Sequence, residues 1–438
     1  MDICPIKKQL QSTVPLPLVF IPEELIAEIL SFLSVKTISR FKCVNKLWNT
    51  LISDPTFVDK HLKKSSQKQH LIEVWRDTRD LIVVPFPLYD LHENPSITIH
   101  RNNLRCLNDS DYSVVGTCNG LICLYSKSLY KVSSFGYKES SVEYMEYSIH
   151  LWNPSTRKKP ENFASIRHIH DMKSFHFAFG YDDSKKTYKV VAYHIEACAE
   201  SEVKVFSSGD NVWRNIQSFP VVPLSWEGYS SETFPKNGVH LSNTINWLAI
   251  NEYFFSFYRC TNITHVEQIV IISLDLSTET YKVLLVPQGL VEVPQMQPVV
   301  NVLMECLCFS HQEKHEFVLW QMKEYGIRES WTRLFKISCQ ILPMDFKDEC
   351  FRMACLYKKG DMVVFVSDCS HDPVIYNLRD KKVEEVIVNG GGYWFCHVNV
   401  YVESLVGVTF DEQHLGEIGN GAMVGEASTG YHRTMMHG

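Results

Sequence analysis

For more than 300 residues from about Leu71, the chain alternates short runs of Val, Ile, Phe, Tyr and Trp with breaks of Asn, Asp, Gly, Ser and Pro. Residues 81–84, 120–124 and 362–366 typify the runs, which are rich in β-branched and aromatic side chains and carry no helical period. No long helical pattern interrupts them. Such a sequence predicts many short strands joined by tight turns.

Within this region one unit recurs loosely: a strand, a polar turn, and a second strand carrying an aromatic or basic residue. It appears around Trp152 with Asn153-Pro154, around Phe206 leading to Trp213, and around Leu274 with Asp275. It returns around Leu319 leading to Trp331, and around Tyr376 with Asn377. These anchors lie 54, 68, 45 and 57 residues apart, a period near 50 that suits a four-stranded blade of kelch type. One blade cannot cover both of its own faces, so blades stack radially and bury them against each other. Asn153, Pro154 and Asp275 favour turns, and Pro154 also ends strand pairing.

The residues before this region read differently. Leu25, Ile29 and Leu33 repeat every four positions, with Ile26 and Leu30 beside them, which puts a broad apolar stripe on one helix. Ile38, Phe41, Val44, Trp48 and Leu51 do the same further on. Two or three small helices cannot bury that much apolar surface against one another, so part of it must meet a partner.

The helical stretch resembles the F-box, through Pro22, Leu25, Ile29, Leu30, Leu33, Val35, Arg40-Phe41-Lys42, Val44, Lys46, Trp48, Leu51-Ile52, Asp54-Pro55, Phe57 and His61-Leu62. Three positions depart from the usual pattern: Ile21 for Leu, Ser34 for Pro and Asn45 for Cys. Loss of the stiffening proline at Ser34 predicts weaker docking. The strand-rich region resembles the F-box-associated domain of plant F-box/kelch-like proteins. The matching stretches are residues 116–124, 151–158, 179–182, 188–191, 238–241, 246–249 and 272–276, in the family's order.

The resemblance implies a small all-α F-box module followed by an all-β, β-propeller-like domain. The expected division is a lead at 1–17, F-box at 18–62, linker at 63–70, β-domain at 71–410 and disordered tail at 411–438. It further implies a Skp-family adaptor as partner and, through it, a cullin, with an unidentified target protein held by the β-domain. Pro22, Leu25, Ile29, Leu30, Leu33 and Val35 are the expected docking face, and Trp48 the anchor between helices.

Composition sets limits around this reading. A formal charge of −7 over 438 residues gives no electrostatic case for nucleic acid, and the basic run 63–68 reads as a solvated helix end with its linker. No apolar run approaches the roughly 18 residues that span a bilayer. The 14 cysteines include no Cys-x-x-Cys pair and read as free thiols of a reducing compartment, cytoplasmic or nuclear.

Catalytic signatures are sparse. His168, His170 and His176 with Asp171 lack a fixed metal-ligand spacing, so no metal or other cofactor is expected. The glycines at 390–392 are followed by no Lys-Ser/Thr pair, and no serine sits in a Gly-x-Ser-x-Gly elbow. The expected function is a non-catalytic receptor, with a propeller enzyme or a non-degradative scaffold as alternatives. Aromatic residues on loops are the candidates for target contact, namely Trp226, Tyr229 and Tyr253.

Overall fold

The computed structural model describes residues 21–66, 69–76, 81–87, 105–107, 112–133, 141–156, 161–169, 175–195, 201–224, 238–251, 258–342, 353–367, 374–385 and 394–407. Among these residues four helices come first: α1 (Glu23–Leu30), α2 (Val35–Phe41), α3 (Lys46–Ser53) and α4 (Pro55–Ser65). Their starts are set locally. The Ser34 hydroxyl accepts the Thr37 N–H, Asn45 accepts the Trp48 N–H at 2.8 Å, and Asp54 accepts the Thr56 N–H at 2.8 Å. Each satisfies a helix N–H that has no partner within its own helix. Leu30, Ile38, Ile52 and Phe57 form the buried centre of the module, each contributing about 1.5–3 kcal/mol of transfer free energy.

Among the described residues six four-stranded antiparallel sheets follow. The first holds β1 (Gln69–Arg76), β2 (Leu81–Pro87) and β3 (Arg105–Leu107). The second holds β4 (Ser113–Cys118), β5 (Leu121–Ser133), β6 (Ser141–Trp152) and β7 (Glu161–Ile169). The third holds β8 (His176–Asp182), β9 (Thr187–Ile195), β10 (Ser201–Ser207) and β11 (Val212–Asn215). The fourth holds β12 (Val239–Leu241), β13 (Thr244–Ile250), β14 (Ile269–Asp275) and β15 (Thr280–Leu285). The fifth holds β16 (Val299–Leu303), β17 (Cys306–Glu313), β18 (Glu316–Met322) and β19 (Trp331–Ser338). The sixth holds β20 (Met353–Lys359), β21 (Met362–Ser367), β22 (Val374–Asn377) and β23 (Lys382–Glu385). Finally β24 (Trp394–Val402) returns to pair with β1, Gln69 opposite Val402, and completes the first sheet.

The first strands of successive sheets lie beside one another, and β24 takes that place between β20 and β4. The sheets therefore close into a six-bladed ring, sealed by pairing the two ends of the β-domain. Alternation of side chains explains the stacking. In the third blade Phe177, Phe179, Val190 and Ala192 pack against the second blade. Ala178, Val191 and Tyr193, one residue out of step, pack against the fourth.

The recurring sequence unit is the third strand of a blade and the turn after it. Trp152, Phe206, Leu274, Leu319 and Tyr376 fall on β6, β10, β14, β18 and β22. Side-chain oxygens organise several of those turns: Asn153 accepts from Ser155 N–H, Asp275 from Ser277 N–H and Asn377 from Arg379 N–H. The recurring tryptophan bolts one blade to the one before it. Trp213 on β11 donates to the Ser165 carbonyl of β7 at 2.8 Å, and Trp331 on β19 donates to the Leu285 carbonyl of β15 at 3.0 Å.

Candidate functional site: an apolar helical face clasped to a propeller

The helices sit at one end of the ring, and the topology says which. First and third strands of each blade run toward the end bearing the turns after β4, β8, β12 and β16. There α2 rests against the turn Pro154–Thr156 that leaves β6, and the chain enters β1. The segment after β24 makes the join. Leu405 packs into the helical core with Ile38, Ile52 and Phe57. The Asn153 amide donates to the carbonyls of Ser404 at 3.0 Å and Val406 at 2.9 Å, and the Ser155 hydroxyl meets the Tyr401 hydroxyl at 2.5 Å.

Gly120 lies beneath this strap. Its φ is +76°, and an added Cβ would stand 2.3 Å from the Ser404 Cβ and 2.6 Å from the Val402 carbonyl oxygen. Gly120 and Asn153 thus have a mechanical role: they hold the strap that ties helices to ring.

The apolar stripe of the helices splits in two. Leu30 and Val35, expected on the docking face, are 3% and 1% exposed; they point into the module and shape the face from behind. Leu33 is half-buried and packs on the same core, and Trp48 is half-buried edge-on to Phe41 at 5.2 Å. Pro22 is exposed at the head of α1. Leu25 and Ile29 are 55% and 59% exposed. Phe32, one turn further along that face, is also exposed, as are Ile21, Val44 and Leu47. Of these, Phe32 and Leu47 are the exposed apolar residues that the sequence reading did not single out. Spacing marks a residue as apolar-faced but does not say which side of a broad stripe the neighbouring helices cover.

Charge frames this face. Glu28 on α1 pairs with Lys60 at 2.5 Å and with Lys64, both on α4. Those hydrogen bonds hold the Glu28 carboxyl below its ordinary range. Lys64 also lies over the Phe32 ring, 3.4 Å from its centre. The start of the basic run expected to be linker is therefore the last turn of α4, folded back on α1. Ser34, the departure from proline, caps α2, and Asn45, the departure from cysteine, caps α3. The turn is held by hydrogen bonding instead of a ring.

A second concavity runs along the axis of the ring. It encloses about 540 Å³ and is lined by the first strands of four blades together with Gln69 and Val400. Apolar side chains such as Val115, Phe179 and Val239 make its walls. Asp183 and Glu305 stand at its exposed end, on the turns after β8 and β16, the end that carries the helices. His240 reaches across from β12, with Nε2 3.1 Å from the Tyr181 nitrogen and Nδ1 3.5 Å from the Cys118 sulfur. Burial holds the imidazole below its usual range and pushes the Cys118 thiol up, so both are neutral near pH 7.

The remaining sequence candidates disperse. Trp226, Tyr229 and Tyr253 lie outside the described residues, as do His170, Asp171 and the glycines at 390–392. His168 packs on Phe175 and His194, and His176 stacks on Tyr193. Among the described residues no group of three His, Cys, Asp or Glu is placed to hold a metal, and no helix is long and apolar enough to cross a membrane. Cys43, Cys118, Cys123, Cys260, Cys306, Cys308 and Cys355 are in no disulfide.

Fold and face together define a class: a four-helix docking module clasped to a β-propeller. Residues 20–60 match the F-box domain family and residues 79–408 match the F-box associated beta propeller domain. The chain belongs to the family of F-box proteins that carry this propeller. Similar proteins include an F-box/kelch-repeat protein of Arabidopsis thaliana, 27% identical over 72% of this chain and 79% of the relative. The F-box protein CPR1 of the same plant is 25% identical over 83% of each chain. The family gives the chain the general role of a substrate adaptor in Skp–cullin–F-box ubiquitin ligases, with a Skp-type adaptor as the F-box partner.

Proposed function

We propose that this chain is the substrate-recognition subunit of a Skp–cullin–F-box ubiquitin ligase, holding a target protein on its propeller for ubiquitination and proteasomal degradation. The chain itself contributes no bond-making step. Its mechanism is proximity: a tethered target presents its lysines to the charged ubiquitin carrier at high effective concentration.

The observation that carries the reading is the pair Leu25 and Ile29, large apolar side chains more than half exposed on a helix whose Leu30 is buried in the module. Solvent exposure of such a pair costs free energy that a partner's apolar groove recovers. Pro22 and the Val44–Leu47 corner extend the same surface in this reading. The clasp through Leu405 and Asn153 fixes the orientation of that surface to the ring, so a target on the propeller is held at a set distance from the adaptor.

The structure changes which variant tests this. Leu33→Asp would strike the module's own packing, because Leu33 touches the core. Leu25→Asp with Ile29→Asp changes only exposed positions. Co-expression with a Skp-family adaptor should give a complex with the unaltered chain and none with the double variant, while its circular dichroism and melting are unchanged. Equal recovery of adaptor by both would end the docking claim. Accumulation of a captured protein on cullin inhibition separates degradation from a scaffold role.

A further inference from the structure

We propose that Leu405 is a positioning residue for adaptor docking: the strap after β24 supplies a fifth wall of the helical core, so the open face on α1 is held ready only in a chain whose ring has closed. The proposal rests on the receptor reading for the identity of the adaptor; the dependence of the helices on the strap stands on the structure alone.

The helices need support from outside themselves. They are 8, 7, 8 and 11 residues long. Isolated helices shorter than about 12–15 residues are marginal in water, so tertiary packing must hold these four. Each sends one residue into the buried centre: Leu30 from α1, Ile38 from α2, Ile52 from α3 and Phe57 from α4. Leu30 is the one fully buried residue of α1, the helix that carries Leu25 and Ile29, so the docking face depends on that small cluster. Among the described residues, Leu405 is the one side chain packed on the cluster that comes from outside the helical module.

The strap that delivers Leu405 is built into the ring. Ser404 is fully buried, and its hydroxyl accepts the Val406 N–H at 2.9 Å. The Asn153 amide holds the carbonyls of Ser404 and Val406, and Val406 packs on the core shared by the second and third blades. Ser404 and Val406 therefore engage the ring, while Leu405 between them engages the helices. The turn after β6 serves both partners, because Asn153 grips the strap and Pro154–Thr156 carries α2.

Chain connectivity supplies the consequence. Leu405 follows Val402, which pairs with Gln69 at the start of β1, and Gln69 in turn follows the end of α4 at Ser65. Leu405 reaches the helical core only when β24 has crossed from the sixth blade to pair with β1. Closing the ring and completing the core of the docking module are then one event. Coupling of this kind is reciprocal: a partner that orders the helices must also tighten the strap.

The test uses the purified full chain, hydrogen–deuterium exchange read by mass spectrometry, and titration with a Skp-family adaptor. Leu405→Ala should speed exchange in α1, α2 and α3 about tenfold or more and weaken adaptor binding about tenfold, while β13 and β14 of the fourth blade exchange as before. Leu405→Met, which keeps the volume, should restore both. On the unaltered chain, added adaptor should slow exchange at residues 399–406 as well as in the helices. Unchanged helix exchange or unchanged adaptor affinity in Leu405→Ala would overturn the proposal. Equal acceleration in the fourth blade would also overturn it, by making Leu405 a support of the whole fold, and so would strap exchange indifferent to adaptor. Should the unaltered chain bind no adaptor, the receptor reading fails, and the helix exchange of Leu405→Ala still decides whether the strap completes the module.

Discussion

The two halves of the molecule treat apolar surface in opposite ways. The propeller turns it inward on both faces of each blade: Val190 and Ala192 go to one neighbour, Val191 and Tyr193 to the other, all at 1% exposure or less. The helical module buries one side of each helix and leaves Ile21, Leu25, Ile29, Phe32, Val44 and Leu47 open within 27 residues. A closed ring has used up its own sticky faces, and so its binding must come from turns and the axis. A four-helix module cannot do this, and what it leaves uncovered is available for docking.

That contrast can be broken first at the seam between the halves. Gly120→Ala places a methyl group against the Val402 carbonyl and the Ser404 side chain at a positive φ, and should cost roughly 2–4 kcal/mol. Denaturant titration would show it as a lower midpoint; a shift under about 0.5 kcal/mol would mean the strap is not held as described. Within the ring, Lys189 is buried between the third and fourth blades, 3.0 Å from Glu279 and 3.4 Å from Asp182. Lys189→Met leaves the buried Asp182 carboxylate without its cation, while Glu279 keeps Arg214, and should cost about 3 kcal/mol.

The same network sets an acid response. Burial alone would raise the Asp182 and Glu279 carboxyls. The Ser184 hydroxyl and Lys189 for the former, and Arg214 and Lys189 for the latter, outweigh it and hold both below their ordinary range. Carboxyls depressed in the folded state stabilise it above their unfolded values, and that contribution is lost as pH falls through the folded ones. Unfolding free energy should therefore drop below about pH 4. The slope should be shallower in Asp182→Asn, and an equal slope would remove this network from the cause.

Smaller effects sharpen the comparison. Trp213→Phe removes the hydrogen bond to Ser165 and should cost about 1 kcal/mol without altering adaptor binding. Ser34→Ala should cost the helical module about 1 kcal/mol through loss of the α2 cap, visible as earlier local melting of the helices than of the ring.

Much of this architecture was legible beforehand, and unevenly so. Five third strands announced themselves through a polar turn and a following strand with an aromatic or basic residue, a pattern that survives irregular spacing. The sixth blade did not, because β24 and β1 come from opposite ends of the domain and no local repeat contains both. The blade count was thus set by ring closure, a property of three dimensions. On the helices, periodicity found the stripe that includes Leu25 and Ile29, and the resemblance put Leu30 and Val35 on the docking face, although both are buried. Which half of a stripe is buried depends on where α3, α4 and Leu405 lie, and Leu405 is over 370 residues away in sequence. The caps at Ser34 and Asn45 were readable as departures from a pattern, though not as replacements for what the pattern supplies. The axial cavity left no trace in the sequence, since Asp183, His240 and Glu305 line it together only when the ring closes.

The central claim is that the open row on α1 is an adaptor-docking face carried by an otherwise self-sufficient ring. Quantitative co-purification with a Skp-family adaptor, comparing the unaltered chain with Leu25→Asp/Ile29→Asp, tests it most directly. Truncating central apolar contacts costs about 2 kcal/mol or more each, so recovery of adaptor should fall at least about a hundredfold while the melting of the propeller is unchanged. Adaptor recovered in equal amount by the double variant would contradict the account.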